Sequence, residues 1–275
     1  MKLGCNTILP DGRLEDCATQ FGRDMQIKSL ELIAQAGFDA VEYSHVEHLS
    51  DDDLRAVAEA TKQLGLIPWS SHAWQALPGL PSNVEAAQKE LDAFIPKAQL
   101  LGVDIIVIHS GGNKDRLHIP PIKQRRLASN LECLGPLADK AGSIGAKIAV
   151  ENGTTWGDWD FIIEMVKGMA NPNVGLNIDT GHAALGDMVP TAAIMKAGED
   201  IITTHLQDNH GKVDDHLPPG LGDIEWPRIF DALKGVGYDG VYMVEISDCP
   251  PNREPNAPVD IQTAHDNVAK FLGLA

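Results

Sequence analysis

Basic residues are few: 22 Lys+Arg stand against 39 Asp+Glu in 275 residues, a formal charge of -17. A surface that acidic repels phosphate backbones and anionic membranes, which argues against a nucleic-acid or membrane partner. Aromatic side chains are also few, at 5%. The four cysteines, Cys5, Cys17, Cys133 and Cys249, are far apart and form no CxxC. That spacing argues against a zinc knuckle or a disulfide frame and points to reduced thiols in a cytoplasmic protein. No apolar run approaches the ~20 residues of a membrane span. The opening "MKLGCNTILP" has no stretch of signal-peptide length. No linker or low-complexity segment interrupts the chain, so one domain is expected over 1–275.

Short apolar, largely β-branched runs recur eight times, at 2–8, 40–44, 67–73, 104–110, 147–153, 174–179, 201–208 and 240–247. Several are apolar almost throughout, as parallel strands buried on both faces are. Helical patterns lie between them at 51–65, 83–102, 121–145 and 226–237, with a last one at 260–273. Pro96 is expected to kink the second of these and Gly135-Pro136 to break the third. Eight strands alternating with helices over this length predict a (β/α)8 TIM barrel. The alternative, an open doubly wound sheet, lacks a GxGxxG after the first strand. The Pro-rich segment 247–260 is expected to form a long loop over the barrel mouth.

Chemistry in such a barrel sits at the C-terminal strand ends. The third to eighth strands end in, or carry, His72, His109, Glu151, Asp179, His205 and Glu245. Taken singly, each has a plain structural role: a hydrogen-bonded His, a helix cap, a turn residue. Together, Glu151, Asp179 and Glu245 would place three like charges at one mouth, which a divalent cation relieves. With His205 they form a hard donor set suited to Mn2+, Co2+, Mg2+ or Zn2+. The stretch "HLQDNHGKVDDHLPPGLGD" packs three histidines and four aspartates into 205–223. Its Asp214-x-His216 pair, read as extended, sends both side chains to one face. With His72, His109 and His182 it could bind further metal or a polyhydroxy substrate. The plain alternative is surface charge before a Pro-Pro turn. His210 reads as a loop residue. Trp74, Trp156 and Trp159 read as mouth-loop aromatics, able to pack on the apolar face of a sugar or simply on the loops.

"VIHSGG", "AVENG", "NIDTGHA", "HLQDNHGKVDDHLPPGLGDIEW" and "MVEIS", in this order, resemble the xylose isomerase-like TIM barrels. That superfamily includes ketose 3-epimerases, sugar phosphate isomerases and endonuclease IV-type nucleases. The resemblance spans the chain from first strand to last. It implies an enzyme acting on a sugar or sugar phosphate. One divalent metal would be held by Glu151, Asp179, His205 and Glu245. Glu151 and Glu245 would be catalytic, moving a proton through a metal-stabilised enediolate, and His182, with Trp74 and Trp156, would bind substrate. The nuclease branch adds two early histidines and a D-x-H pair to hold three zinc ions, and His72, His109, Asp214 and His216 match that pattern. The mouth is poor in cations, with Lys114, Arg116, Lys212 and Arg253 almost the whole set. That favours a sugar over abasic DNA. Members of such families are commonly homo-oligomers.

Overall fold

The structure is a computed structural model that describes residues 1–8, 21–111, 116–246 and 256–274. Eight parallel strands run in the order β7-β6-β5-β4-β3-β2-β1-β8. They are β1 (Lys2–Asn6), β2 (Ala40–Ser44), β3 (Ile67–Ala76), β4 (Ile105–His109), β5 (Lys147–Glu151), β6 (Val174–Asp179), β7 (Ile201–His205) and β8 (Val241–Val244). β1 pairs with β8, and β7 reaches β8 through one bridge beyond its end. There Leu206 N donates to Met243 O at 2.8 Å and Glu245 N donates to Leu206 O at 3.2 Å. This closes the TIM barrel expected from the strand–helix alternation. It also sets His205 beside Glu245.

The helices are α1 (Arg23–Ala36), α2 (Asp51–Gln63), α3 (Val84–Leu101), α4 (Pro120–Ser143), α5 (Trp156–Met169), the short α6 (Thr180–Leu185), α7 (Pro190–Ala197), α8 (Trp226–Gly235) and α9 (Ala257–Leu272). One proline expectation needs correction. α4 runs unbroken through Gly135 and Pro136, and α3 is likewise a single helix with Pro96 inside it. An interior proline removes one backbone hydrogen bond. In α4 the buried stripe Cys133, Leu134, Leu137, Ala138 and Ala141 continues on both sides of it, and that packing keeps the helix intact. α9 begins at Ala257 inside the segment read as loop, and 247–255 lie outside the described residues. Cys17, Cys249, Lys114 and Arg253 also lie outside them. Cys5 and Cys133 are free and buried. No helix among the described residues is long and apolar enough to cross a membrane.

Successive strand residues point to opposite faces. In β4, Ile106 and Ile108 join the large core under the helices, while Ile105 and Val107 meet inside the barrel. β8 and its continuation divide likewise: Tyr242, Val244 and Ile246 pack outward, Val241 and Met243 inward. The lower lumen is thus apolar, with Trp69 packed against both inner clusters and donating through Nε1 to Thr203 Oγ1 at 3.1 Å. Continuing the inward phase upward brings Glu245 after Met243, His109 after Val107 and Glu151 after Ala149. The upper lumen is therefore ionisable.

Trp159 is not in a mouth loop. It lies on α5, fully buried, with Nε1 donating to Ala193 O at 3.0 Å. Trp159→Ala is expected to cost about 3–5 kcal/mol in denaturant unfolding, with substrate affinity of the folded fraction unchanged. A loss of affinity without loss of stability would return Trp159 to the site.

Candidate metal centre

Glu151, Asp179, His205 and Glu245 meet at the top of the lumen, at most 3% exposed. His205 Nδ1 stands 3.1 Å from Glu151 Oε2 and 3.1 Å from Glu245 Oε2. One ligand atom from each of the four lies within 4.8 Å of the others. Two asparagines hold the backbones beneath them. Asn152 Oδ1 accepts from Asp179 N at 2.7 Å while its Nδ2 donates to Asp179 O at 3.0 Å. Asn6 does the same to the residue after Glu245, accepting from Ile246 N at 3.2 Å and donating to Ile246 O at 3.4 Å. Asp179 also caps α6, accepting from His182 N at 2.7 Å through Oδ1. The capping role and the cluster role of Asp179 coexist, since a carboxylate has two oxygens to offer.

Two further clusters flank this one. His72, His109 and Glu151 bring ligand atoms within 4.8 Å, as do His182, Asp214 and His216. His72 Nε2 and His109 Nε2 are 3.2 Å apart. His182 bridges to the central cluster, with Nδ1 3.1 Å from Glu151 Oε1 and Nε2 3.1 Å from Asp214 Oδ2. His216 Nε2 lies 3.2 Å from the same Asp214 oxygen. All nine residues singled out in the sequence are thus brought together. The Asp214–His216 geometry differs from the extended pair expected, because His216 is left-handed at φ 45°. A non-glycine residue in that region is strained and must be held by its surroundings.

Much of the holding falls to Asp208, which takes no part in the clusters. Buried beyond β7, it accepts from Asn209 N, Gly220 N, Ile224 N and Trp226 Nε1 at 2.7–3.1 Å. Gly222 passes so close that an added Cβ would stand 2.3 Å from Asp208 Oδ1. Gly181, in the "DTGH" turn, leaves room for Gln207, whose Nε2 donates to Asp214 Oδ1 at 2.8 Å. His210 is an exposed loop residue 3.3 Å from Asp223, as expected. Trp74 lies on the extension of β3 past His72, 71% exposed. The Trp156 ring lies at the start of α5, with the Lys196 ammonium 5.2 Å from its centre.

One buried acid was missed by the reading of strand ends. Glu42 sits in mid-strand on β2, with Oε1 2.9 Å from His205 Nε2. The signal was present: a charge in the middle of the apolar run "AVEYS", in phase with inward Ala40.

The cluster is electrostatically strained in the metal-free state. Burial alone would raise Glu151 and Glu245, yet imidazoles hold both well below the ordinary carboxylate range, His109 and His205 at the first, His205 and His216 at the second. Burial pushes Asp179 up to about 7, reinforced by Glu151, Glu245 and Asp214 and opposed by His182. His216 rises to about 9, since Glu245 and Asp214 outweigh its burial. His182 and His205 also rise well above the ordinary value against their burial, drawn up chiefly by Asp179 and by Glu245. Glu151 Oε1 and His205 Nδ1 make no hydrogen bond among the described residues. Three converging carboxylates, one imidazole and unsatisfied buried donor atoms fit a hard divalent cation.

These shifts set a pH dependence. Asp179 and His216 have folded values raised from 3.8 to about 7 and from 6.5 to about 9. A group with a raised folded value contributes stability at low pH that is lost as pH climbs through that value. The metal-free protein should therefore melt at lower temperature as pH goes from 6.5 to 9. Mn2+, replacing those protons, should raise the melting temperature more at pH 9 than at 6.5. A melting temperature flat across that range would contradict the proton inventory. Asp208→Ala, which orphans four donors, should cost about 3 kcal/mol or more. It should also speed amide exchange in 209–225, and unchanged exchange there would deny Asp208 its bracing role.

The chain resembles known proteins over most of its length. The profile of the family described as "Xylose isomerase-like TIM barrel" matches residues 30–265. A ketose 3-epimerase of Arthrobacter globiformis is 24% identical over 259 residues, spanning 89% of this chain and 83% of that protein. An inosose dehydratase of Lacticaseibacillus casei is 28% identical over 196 residues, 59% of this chain and 65% of the relative. Among solved structures, IOLI protein with a bound zinc atom superposes with a TM-score of 0.79 at 23% identity, covering 99% of this chain and 98% of that one. Its relatives thus include carbohydrate epimerases and dehydratases, and the chain belongs to the xylose isomerase-like TIM barrel family.

Proposed function

We propose that the protein is a divalent-metal-dependent sugar, or sugar phosphate, isomerase or epimerase. The observation that carries this reading is the approach of Glu151 and Glu245 to the same His205 nitrogen at 3.1 Å each. Glu151, Asp179, His205 and Glu245 would hold the cation. When bound, Mn2+, Co2+, Mg2+ or Zn2+ supplies Lewis acidity toward a carbonyl oxygen and its neighbouring hydroxyl. Both glutamates are carboxylates at neutral pH, held down by their imidazoles. One takes the proton from the carbon beside the carbonyl; in an isomerisation it can hand that proton on itself, and in an epimerisation the other, first protonated from solvent, delivers a proton to the opposite face. His182, 3.1 Å from Glu151 Oε1, is within reach to orient a substrate oxygen. The exposed ring of Trp74 offers an apolar surface to the sugar. The likeness to a ketose 3-epimerase over most of both chains supports the substrate class. The net charge of -17 supports a small sugar over nucleic acid.

A second reading, a zinc-dependent phosphodiesterase of the endonuclease IV type acting on abasic DNA, is favoured by the three overlapping ligand clusters. The acidity of the chain weighs against it, since a DNA backbone needs cations around the site.

The test is proton exchange. The metal-loaded protein, incubated in D2O with a panel of ketoses and their phosphates, should place deuterium at the carbon beside the carbonyl of one of them. Glu151→Gln and Glu245→Gln should each lower turnover by about 10²–10⁴-fold. Full turnover in both variants would refute the proton assignment. Loss of water from the substrate would move the reading to a dehydratase. Cleavage of abasic DNA with two to three zinc ions bound per chain would move it to the nuclease branch.

A further inference from the structure

We propose that Glu42 is the positioning residue that orients the metal-facing nitrogen of His205, an assignment resting on the reading that Glu151, Asp179, His205 and Glu245 hold a divalent cation. Glu42 is fully buried inside the barrel. Ser70, its register partner on β3, donates through Oγ to Glu42 Oε2 at 2.6 Å. The other oxygen, Oε1, stands 2.9 Å from His205 Nε2 in an ion-pair contact, and neither atom has a hydrogen-bond partner among the described residues. The opposite ring nitrogen, Nδ1, faces Glu151 and Glu245 at 3.1 Å each.

The consequence follows from donor and acceptor chemistry. A neutral imidazole carries one proton, and a carboxylate can only accept. Glu42 therefore keeps that proton on Nε2 and leaves the Nδ1 lone pair directed at the cluster. Ser70 fixes the carboxylate that does this, so ring orientation is set across the lumen by β2 and β3. An outer carboxylate of this kind holds a ligating histidine in one tautomer and raises its basicity. A buried charge in the middle of an apolar strand is costly without such a partner. Glu42, His72, His205 and Glu245 also bring ligand atoms within 4.8 Å. The alternative of Glu42 as a metal ligand is disfavoured by its place on the far side of the imidazole from Glu151 and by the hold of Ser70 on its second oxygen.

The experiment compares chelator-stripped, full-length wild type with Glu42→Gln and Ser70→Ala, titrated with Mn2+ against a competing chelator. Unfolding of each metal-free variant is followed in parallel, and the His205 ring nitrogens are read by 15N resonance. Glu42→Gln should bind the same number of Mn2+ ions roughly 10- to 100-fold more weakly. Ser70→Ala should fall between. Read in the metal-free protein at a pH where the ring is neutral, wild-type His205 should carry its one proton on Nε2, and Glu42→Gln should show a mixture of tautomers. Unchanged affinity and tautomer in both variants would reduce Glu42 to barrel filling. Loss of a whole equivalent of Mn2+ in Glu42→Gln would make Glu42 a ligand and overturn the proposal. If Glu42→Gln does not fold, Ser70→Ala carries the same comparison, and unchanged affinity and tautomer there would overturn the proposal. Failure of the functional reading is seen elsewhere. A wild type that binds Mn2+ but exchanges no sugar proton loses the reaction and keeps the Glu42 assignment. A wild type that binds no divalent cation loses both.

Discussion

Three carboxylates and a histidine are buried within ligand distance of one another at the top of a closed barrel, and the rest of the upper half is arranged around that constraint. Charges removed from water must be paired or bind a cation. The surrounding imidazoles meet part of the demand, holding Glu151 and Glu245 as carboxylates while Asp179 is driven up toward neutrality. The site thus carries both charged and protonated oxygens in its metal-free state. A metal ion would replace protons as the compensating charge.

That frame is built from hydrogen bonds to backbone. Asn152 and Asn6 each grip both polar groups of one residue, at Asp179 and at Ile246 beside Glu245. Asp208 gathers four donors and stiffens the chain that presents Asp214 and His216. A side chain that satisfies a neighbouring strand end removes the freedom that would blur ligand distances by an ångström. The local strain at His216 is tolerable because its loop is tied down in this way.

The outer histidine clusters widen what the site can hold. His182 touches both the central group and Asp214, so a substrate oxygen or a second cation there would sense the charge on Glu151. The imidazoles and carboxylates of these clusters would offer several polar contacts to the sugar of the proposed reaction.

Much of this was legible in the chain. Alternation along a strand is local, so "KIAVE" and "GVYMVE" already show a glutamate in the inward phase. The recurrence of strand and helix predicts the barrel, and the carboxylates at strand ends predict their own convergence. Other features depended on contacts between distant segments. Trp159 reads as a loop aromatic until helix packing buries it against Ala193. Gly135-Pro136 reads as a break until the flanking apolar stripe outweighs one lost hydrogen bond. Glu42 lies below the strand ends, and only barrel closure brings it to His205. The sequence by itself determined which side chains face the lumen, because that depends on period two within each strand. Tertiary structure alone decided which of them touch, because Leu206 must bridge to β8 and Asp208 must fold the loop before distances across the mouth are set.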